Sequence, residues 1–89
     1  MKRSAQRGRN ILGGRIRDAR LKRRIWMSQA DLAARLTVRG VPFDRASVTR
    51  VENGERYLRD YEIRAFATVL RVSVAWLFRE TGDPRPVRR

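Results

Sequence analysis

The residues best equipped for chemistry lie between positions 43 and 54, in the stretch FDRASVTRVENG. Arg45 and Arg50 each carry a planar guanidinium, and Ala46, Ser47, Thr49 and Asn53 around them are small or polar. Guanidinium forks suit the O6/N7 edge of guanine, and small side chains can approach a thymine methyl, which is the chemistry that reads a DNA major groove. At about 100° per residue Arg45, Ala46, Thr49, Arg50 and Asn53 spread over one side of a helix, while Val48 and Val51 lie close together on the other. One side wants a core and the other a partner.

The elements that must hold this stretch in place carry their own marks. Asp44 is a good N-cap for the helix, and Gly54 suits the left-handed residue that closes it. Upstream, Ser28 and Asp31 in SQAD have the spacing of a Ser N-cap with an acid three residues on, and Leu32, Ala33 and Leu36 follow as an apolar stripe. That predicts a second helix, with Gln29 in its first turn, where a side-chain amide beside free backbone amides can meet a phosphate. Trp26 and Met27, just before the cap, are expected to be a hydrophobic staple and core filler. Gly40 and Pro42 in TVRGVP, residues 37–42, argue for a connection rather than helix.

Around these lie three more helices. Residues 11–24 place Ile11, Leu12, Ile16, Ala19 and Leu21 among arginines, a first helix whose basic residues snorkel over the core. Gly13 and Gly14 each weaken it by about 1 kcal/mol relative to alanine. Asp60 is expected to cap a fourth helix, residues 61–70, in which Ile63, Phe66, Ala67 and Leu70 recur at three and four, with Glu62 near its positive end. Ser73 is expected to cap a short fifth helix holding Trp76, Leu77 and Phe78. With no credible strand, the reading is an all-α fold: a compact bundle of about five short helices over residues 11–82, between a basic arm, 1–10, and a basic tail, 83–89.

Composition bounds the function. The 89 residues make one domain at most, and 22 Lys and Arg against 9 Asp and Glu leave a formal charge of +13, which implies a polyanionic partner. There is neither histidine nor cysteine, so the commonest general base, the commonest metal ligand and any disulfide framework are all missing. The carboxylates show no obvious pairing. The expectation is no enzyme, no cofactor and no metal. No apolar run approaches the roughly 20 residues a membrane span needs, so a soluble, cytoplasmic protein of prokaryotic or phage type is expected, with no membrane partner. Arg56 and Arg59 in the loop after Gly54 are donors suited to sugar-phosphate contacts, with Tyr57 between them.

Four pieces in register, RDAR, SQADLAARL, ASVTRVENGER and VSVAWLF, resemble the Cro/C1-type helix-turn-helix family, also called the Xre family, over residues 16–80. The resemblance implies a lambda-repressor-like DNA-binding domain in which the third helix lies in the major groove and the second crosses the backbone. It puts base contacts on Arg45, Ala46, Ser47, Thr49 and Arg50 and a phosphate contact on Gln29; Ser28, Asn53, Arg56 and Arg59 are expected to contact the DNA backbone as well. It also pairs Arg20 of the first helix with Glu52 of the third as a buried ion pair. Glu52 projects only ~40° from Val48, toward the core. This chain departs from the family in its expanded turn between helices two and three and in the longer KRRIWM segment after helix one.

The leading expectation is therefore a sequence-specific DNA-binding transcriptional regulator, most simply a repressor, acting as a homodimer on a palindromic operator. Dimer contacts are expected from the fifth helix and the tail, where Trp76 and Phe78 need not both be buried. The alternatives are an antitoxin-like module that binds a protein partner and represses its own promoter, and a non-specific nucleic-acid binder whose affinity follows charge alone.

Overall fold

A computed structural model describes residues 8–22 and 24–80. Most of the expected N-terminal arm and the whole C-terminal tail lie outside the described residues. The described chain is all-α, with α1 at Gly13–Arg20, α2 at Gln29–Val38, α3 at Arg45–Glu52, α4 at Asp60–Leu70 and α5 at Val74–Leu77, and it contains no strand. None of these helices is long and apolar enough to cross a membrane.

Each helix begins where its sequence allows the orphan amides of its first turn to find acceptors. The Ser28 hydroxyl accepts from the Asp31 amide at 3.0 Å and the Asp31 carboxylate accepts from the Ser28 amide at 3.1 Å, a complete capping box for α2. The Ser73 hydroxyl accepts from the Trp76 amide at 3.0 Å to start α5. At α4 the expected cap is displaced by one residue. Arg59 occupies the cap position, Asp60 is the first helical residue, and the Glu62 carboxylate reaches back to the Arg59 amide at 2.9 Å. Glu62 does the capping that was expected of Asp60.

The first helix is shorter than its apolar pattern predicts. After Arg20 the chain turns, and the Met27 amide returns to the Arg20 carbonyl at 3.0 Å. Met27, the residue just before the Ser28 cap, is 1% exposed, whereas Trp26 is 59% exposed. Only the position next to the cap faces the core, so Met27 alone fills the staple role expected of both. At the far end of α2 the helix runs on through Val38 before Gly40, at φ 87°, stops it. The Thr37 hydroxyl, within 3.0 Å of the Ala33 carbonyl and 3.2 Å of the Phe43 carbonyl, also accepts from the Phe43 amide and pins the connection into α3.

Leu12 and Ile16, Leu32 and Leu36, Val48 and Val51, Phe66 and Leu70, and Leu77 meet in one core, each 2% exposed or less. Trp76 is also buried, with the Arg15 guanidinium over its ring at 4.2 Å, while Phe78 stays outside. The place of α3 in this core follows from a close approach. Gly13 at the start of α1 sits against the Val51 and Glu52 carbonyls, where a Cβ would overlap both oxygens.

Candidate nucleic-acid interface

The third helix is closed at both ends by its own sequence. The Asp44 carboxylate accepts from the Ser47 amide at 2.8 Å, and that backbone bond, with the Ser47 side chain, holds the Asp44 pKa below its ordinary value. At the other end Gly54 adopts φ 76°, the Gly54 amide donates to the Val51 carbonyl at 3.0 Å, and the Glu55 amide donates to the Arg50 carbonyl at 2.8 Å. This is a Schellman stop, in which glycine takes the left-handed position at little cost.

Between these stops the two sides separate as the periodicity predicts. Val48 and Val51 are fully buried, and Arg45, Ala46, Arg50 and Asn53 are exposed, with Ser47 and Thr49 at the margin. Arg50 reaches only as far as the Ser47 hydroxyl, at 3.4 Å. Neither Arg45 nor Arg50 forms an ion pair among the described residues, so both guanidiniums are open to a ligand.

The rotation of α3 about its axis is set from behind by a chain of polar contacts. Arg20 donates through Nε to Glu52 Oε2 at 2.6 Å and through Nη2 to Oε1 at 2.9 Å, with side-chain exposures of 9% and 2%. Its remaining nitrogen, Nη1, donates to the Met27 carbonyl at 3.1 Å. Glu52 Oε1 also accepts from the Gln29 amide at 3.0 Å, and the Gln29 oxygen accepts from the Thr49 hydroxyl at 2.7 Å. A buried charge pair with its donors and acceptors satisfied in this way joins α1, α2 and α3 in one arrangement.

Gln29 is thus partly committed inward, contrary to the simple expectation of a phosphate ligand at a free helix end. A primary amide has two hydrogens, and the one not given to Glu52 remains for an outside acceptor. Ser28 spends its oxygen on the α2 cap, which leaves its hydroxyl hydrogen to donate. Arg56 is engaged more fully within the chain. Its guanidinium is held by both Glu62 oxygens at 3.0 and 3.3 Å, donates to the Tyr57 carbonyl at 3.0 Å and lies over the Phe43 ring at 4.5 Å. Opposite charge and an aromatic face hold this arginine, so it braces the loop while its side chain stays 29% exposed. Burial pushes the Glu62 pKa up, but the Arg56 guanidinium and the Arg59 amide pull it down further, and the net position is below the ordinary value. Arg59 stays exposed, its guanidinium bonding the Tyr61 hydroxyl at 3.4 Å.

Sequence reasoning missed Asn10, assigned to the basic arm. Its side-chain oxygen accepts from the Leu12 and Gly13 amides, both at 2.8 Å, and its amide donates to the Val51 and Arg56 carbonyls at 3.1 and 2.8 Å. It caps the entry to α1 and ties it to the end of α3. The available signal was an asparagine three residues before a helix start, a position from which its side chain can bond the following amides. Through it Arg9 comes beside the loop after α3, its amide on the Gly54 carbonyl at 2.7 Å and its guanidinium 5.5 Å from the Tyr57 ring centre. Compared with models of known protein families, with characterised proteins and with solved structures, the chain matches none.

Proposed function

We propose that the outer face of α3 reads the major groove of double-stranded DNA and that the protein is a sequence-specific transcriptional regulator, most simply a repressor that occupies a promoter. The observation that carries this reading is the pair Arg45 and Arg50, exposed and without carboxylate partners among the described residues, on a helix whose opposite side is locked by Val48, Val51 and Glu52. A fixed rotation matters because bidentate recognition of a base edge depends on where the fork points. A charge of +13 supplies the salt-dependent, sequence-independent attraction on which such reading is superimposed. Arg9 and Arg59 flank the helix and suit phosphates. The order of parts is that of the Cro/C1-type helix-turn-helix proteins which the sequence resembles.

One short helix reads too few bases for specificity, so the active form in this reading is a homodimer on a palindrome with half-sites about 34 Å apart. The exposed apolar side chains Ile11, Val74 and Phe78, at 46%, 40% and 37%, favour a self-association surface near α5. Selection of bound sequences from a random duplex pool at a fixed salt concentration tests the whole reading. Enrichment of a repeated short half-site supports it. A pool that stays random, with affinity that follows charge alone, makes the protein a non-specific nucleic-acid binder.

A further inference from the structure

A groove of about 940 Å³ lies between α2 and α4, bordered also by the α1–α2 connection. It is on the side of α2 turned away from α3. Val38, which lines it, stands half a turn of helix from Gln29, the α2 residue that bonds α3, at about 100° per residue. Its charged residues are all of one sign, Arg24, Arg35, Arg39 and Arg71, and none of them pairs with a carboxylate among the described residues. Asp31, one turn before Arg35, is taken up by the Ser28 amide at the start of α2.

Two local costs are concentrated here. Val38 is 87% exposed, the largest exposure of any bulky apolar residue described. Arg71 ends α4 in the left-handed region at φ 62°, where glycine is the usual residue and a side chain costs about 1 to 2 kcal/mol. A charged side chain is kept at the one position of this rim where having no side chain would be more stable.

We propose that this groove docks an acidic segment of a partner protein, with one large apolar side chain seated between Val38 and Val69 and carboxylates at the surrounding guanidiniums. Charge complementarity selects the occupant. The stretches outside the described residues carry Lys2, Arg3 and Arg7 on one side and Arg85, Arg88 and Arg89 against the single Asp83 on the other, a net charge of the wrong sign for the groove. A second copy fits no better, because the exposed acids Asp18, Asp31, Asp44, Glu55, Asp60 and Glu80 are dispersed over separate elements. A nucleic-acid backbone would satisfy the arginines and leave the valines between them unused.

The site does not depend on the DNA reading, and fluorescence anisotropy with the full chain tests it separately. The probes are a labelled amphipathic Leu/Glu peptide and an oligoglutamate of equal charge, at about 0.15 M ionic strength, where exposed charges are screened beyond about 8 Å. The Leu/Glu peptide binds about tenfold tighter or better, the margin that burying one leucine supplies. Val38→Glu, at an exposed position, abolishes that margin without lowering the melting temperature. Arg71→Gly weakens the peptide about threefold to fivefold, raises the melting temperature by relieving the left-handed arginine, and leaves duplex DNA affinity unchanged. Equal binding of both probes overturns the proposal, as does a peptide affinity indifferent to Val38→Glu. A loss of duplex affinity in Arg71→Gly overturns it in favour of a phosphate site.

Discussion

The Gln29 oxygen and the Thr49 hydroxyl, on two different helices of the candidate interface, bond each other at 2.7 Å. Two residues expected to face DNA therefore first hold α2 and α3 together, with Glu52 as the third member. Gln29→Ala removes a bond to a charged acceptor and leaves the Thr49 hydroxyl only the Arg45 carbonyl of its own helix, at 3.1 Å, for an expected loss of about 1 to 3 kcal/mol of folding stability. Urea unfolding measures it. Unchanged stability with weakened DNA binding would mean that Gln29 serves phosphate alone.

Behind that contact the Arg20–Glu52 pair is the larger stake. Glu52→Ala leaves the Arg20 guanidinium buried and uncompensated, which costs about 3 to 5 kcal/mol. A domain of this size holds only roughly 5 to 10 kcal/mol in total, so the variant is expected to lose most of its stability in chemical denaturation. Replacing both residues, Arg20→Met with Glu52→Leu, recovers most of that loss, because the penalty belongs to the stranded charge.

Much of this architecture was legible because it rests on local chemistry. Ser28 with Asp31, Asp44 and Ser73 announce helix starts through side chains that can reach only their own next turn, and Gly54 announces a stop for a similar reason. What escaped depends on contacts distant in sequence. Arg56 and Arg59 look alike in the sequence, and only the placement of Phe43 and Glu62 decides that one guanidinium turns in while the other stays out. Asn10 sits in a run of basic residues, and its bonds to Val51 and Arg56 follow from the fold rather than from its neighbours. The early end of α1 likewise reflects the pull of Met27 into a core built by other helices.

The adjacent glycines of α1 separate propensity from packing. A Cβ at Gly14 meets nothing closer than an Arg79 nitrogen at 4.0 Å, so Gly14→Ala is expected to stabilise the protein by about 0.5 to 1 kcal/mol. Gly13→Ala carries the same intrinsic gain but drives a methyl into the Val51 and Glu52 carbonyls. It is expected to lower the melting temperature and disturb the seat of α3. Similar melting temperatures for the two variants would contradict this account of how α1 seats α3.

Acid should weaken the fold through Glu62. Its folded pKa lies below the unfolded value of about 4.5, so the unfolded chain binds the proton more readily. Its contribution is complete above pH 4.5 and disappears as pH falls from there through the folded value. Asp31 and Asp44, also lowered, act in the same direction below 3.8. Glu62→Gln is therefore less stable than the parent at neutral pH, and the difference shrinks as pH drops below 4.5. Thermal melts from pH 7 to pH 3 measure it, and a constant difference across that range would exclude the Arg56–Glu62 pair as its source.

The arginines of the proposed interface should divide into three behaviours on DNA. Arg45→Ala and Arg50→Ala, each removing a fork with no carboxylate partner among the described residues, are expected to lose roughly 1 to 3 kcal/mol on the selected site and little on random duplex. Arg59→Ala should weaken both duplexes alike and lower the salt slope by about one unit for each phosphate it no longer neutralises. Arg56→Ala should act chiefly on stability, because its guanidinium is bound to Glu62 and stacked on Phe43. Binding isotherms on both duplexes across a salt series, with unfolding curves for each variant, distinguish the three. If Arg45 and Arg50 lose affinity equally on both duplexes, they touch only phosphate, and α3 does not read sequence.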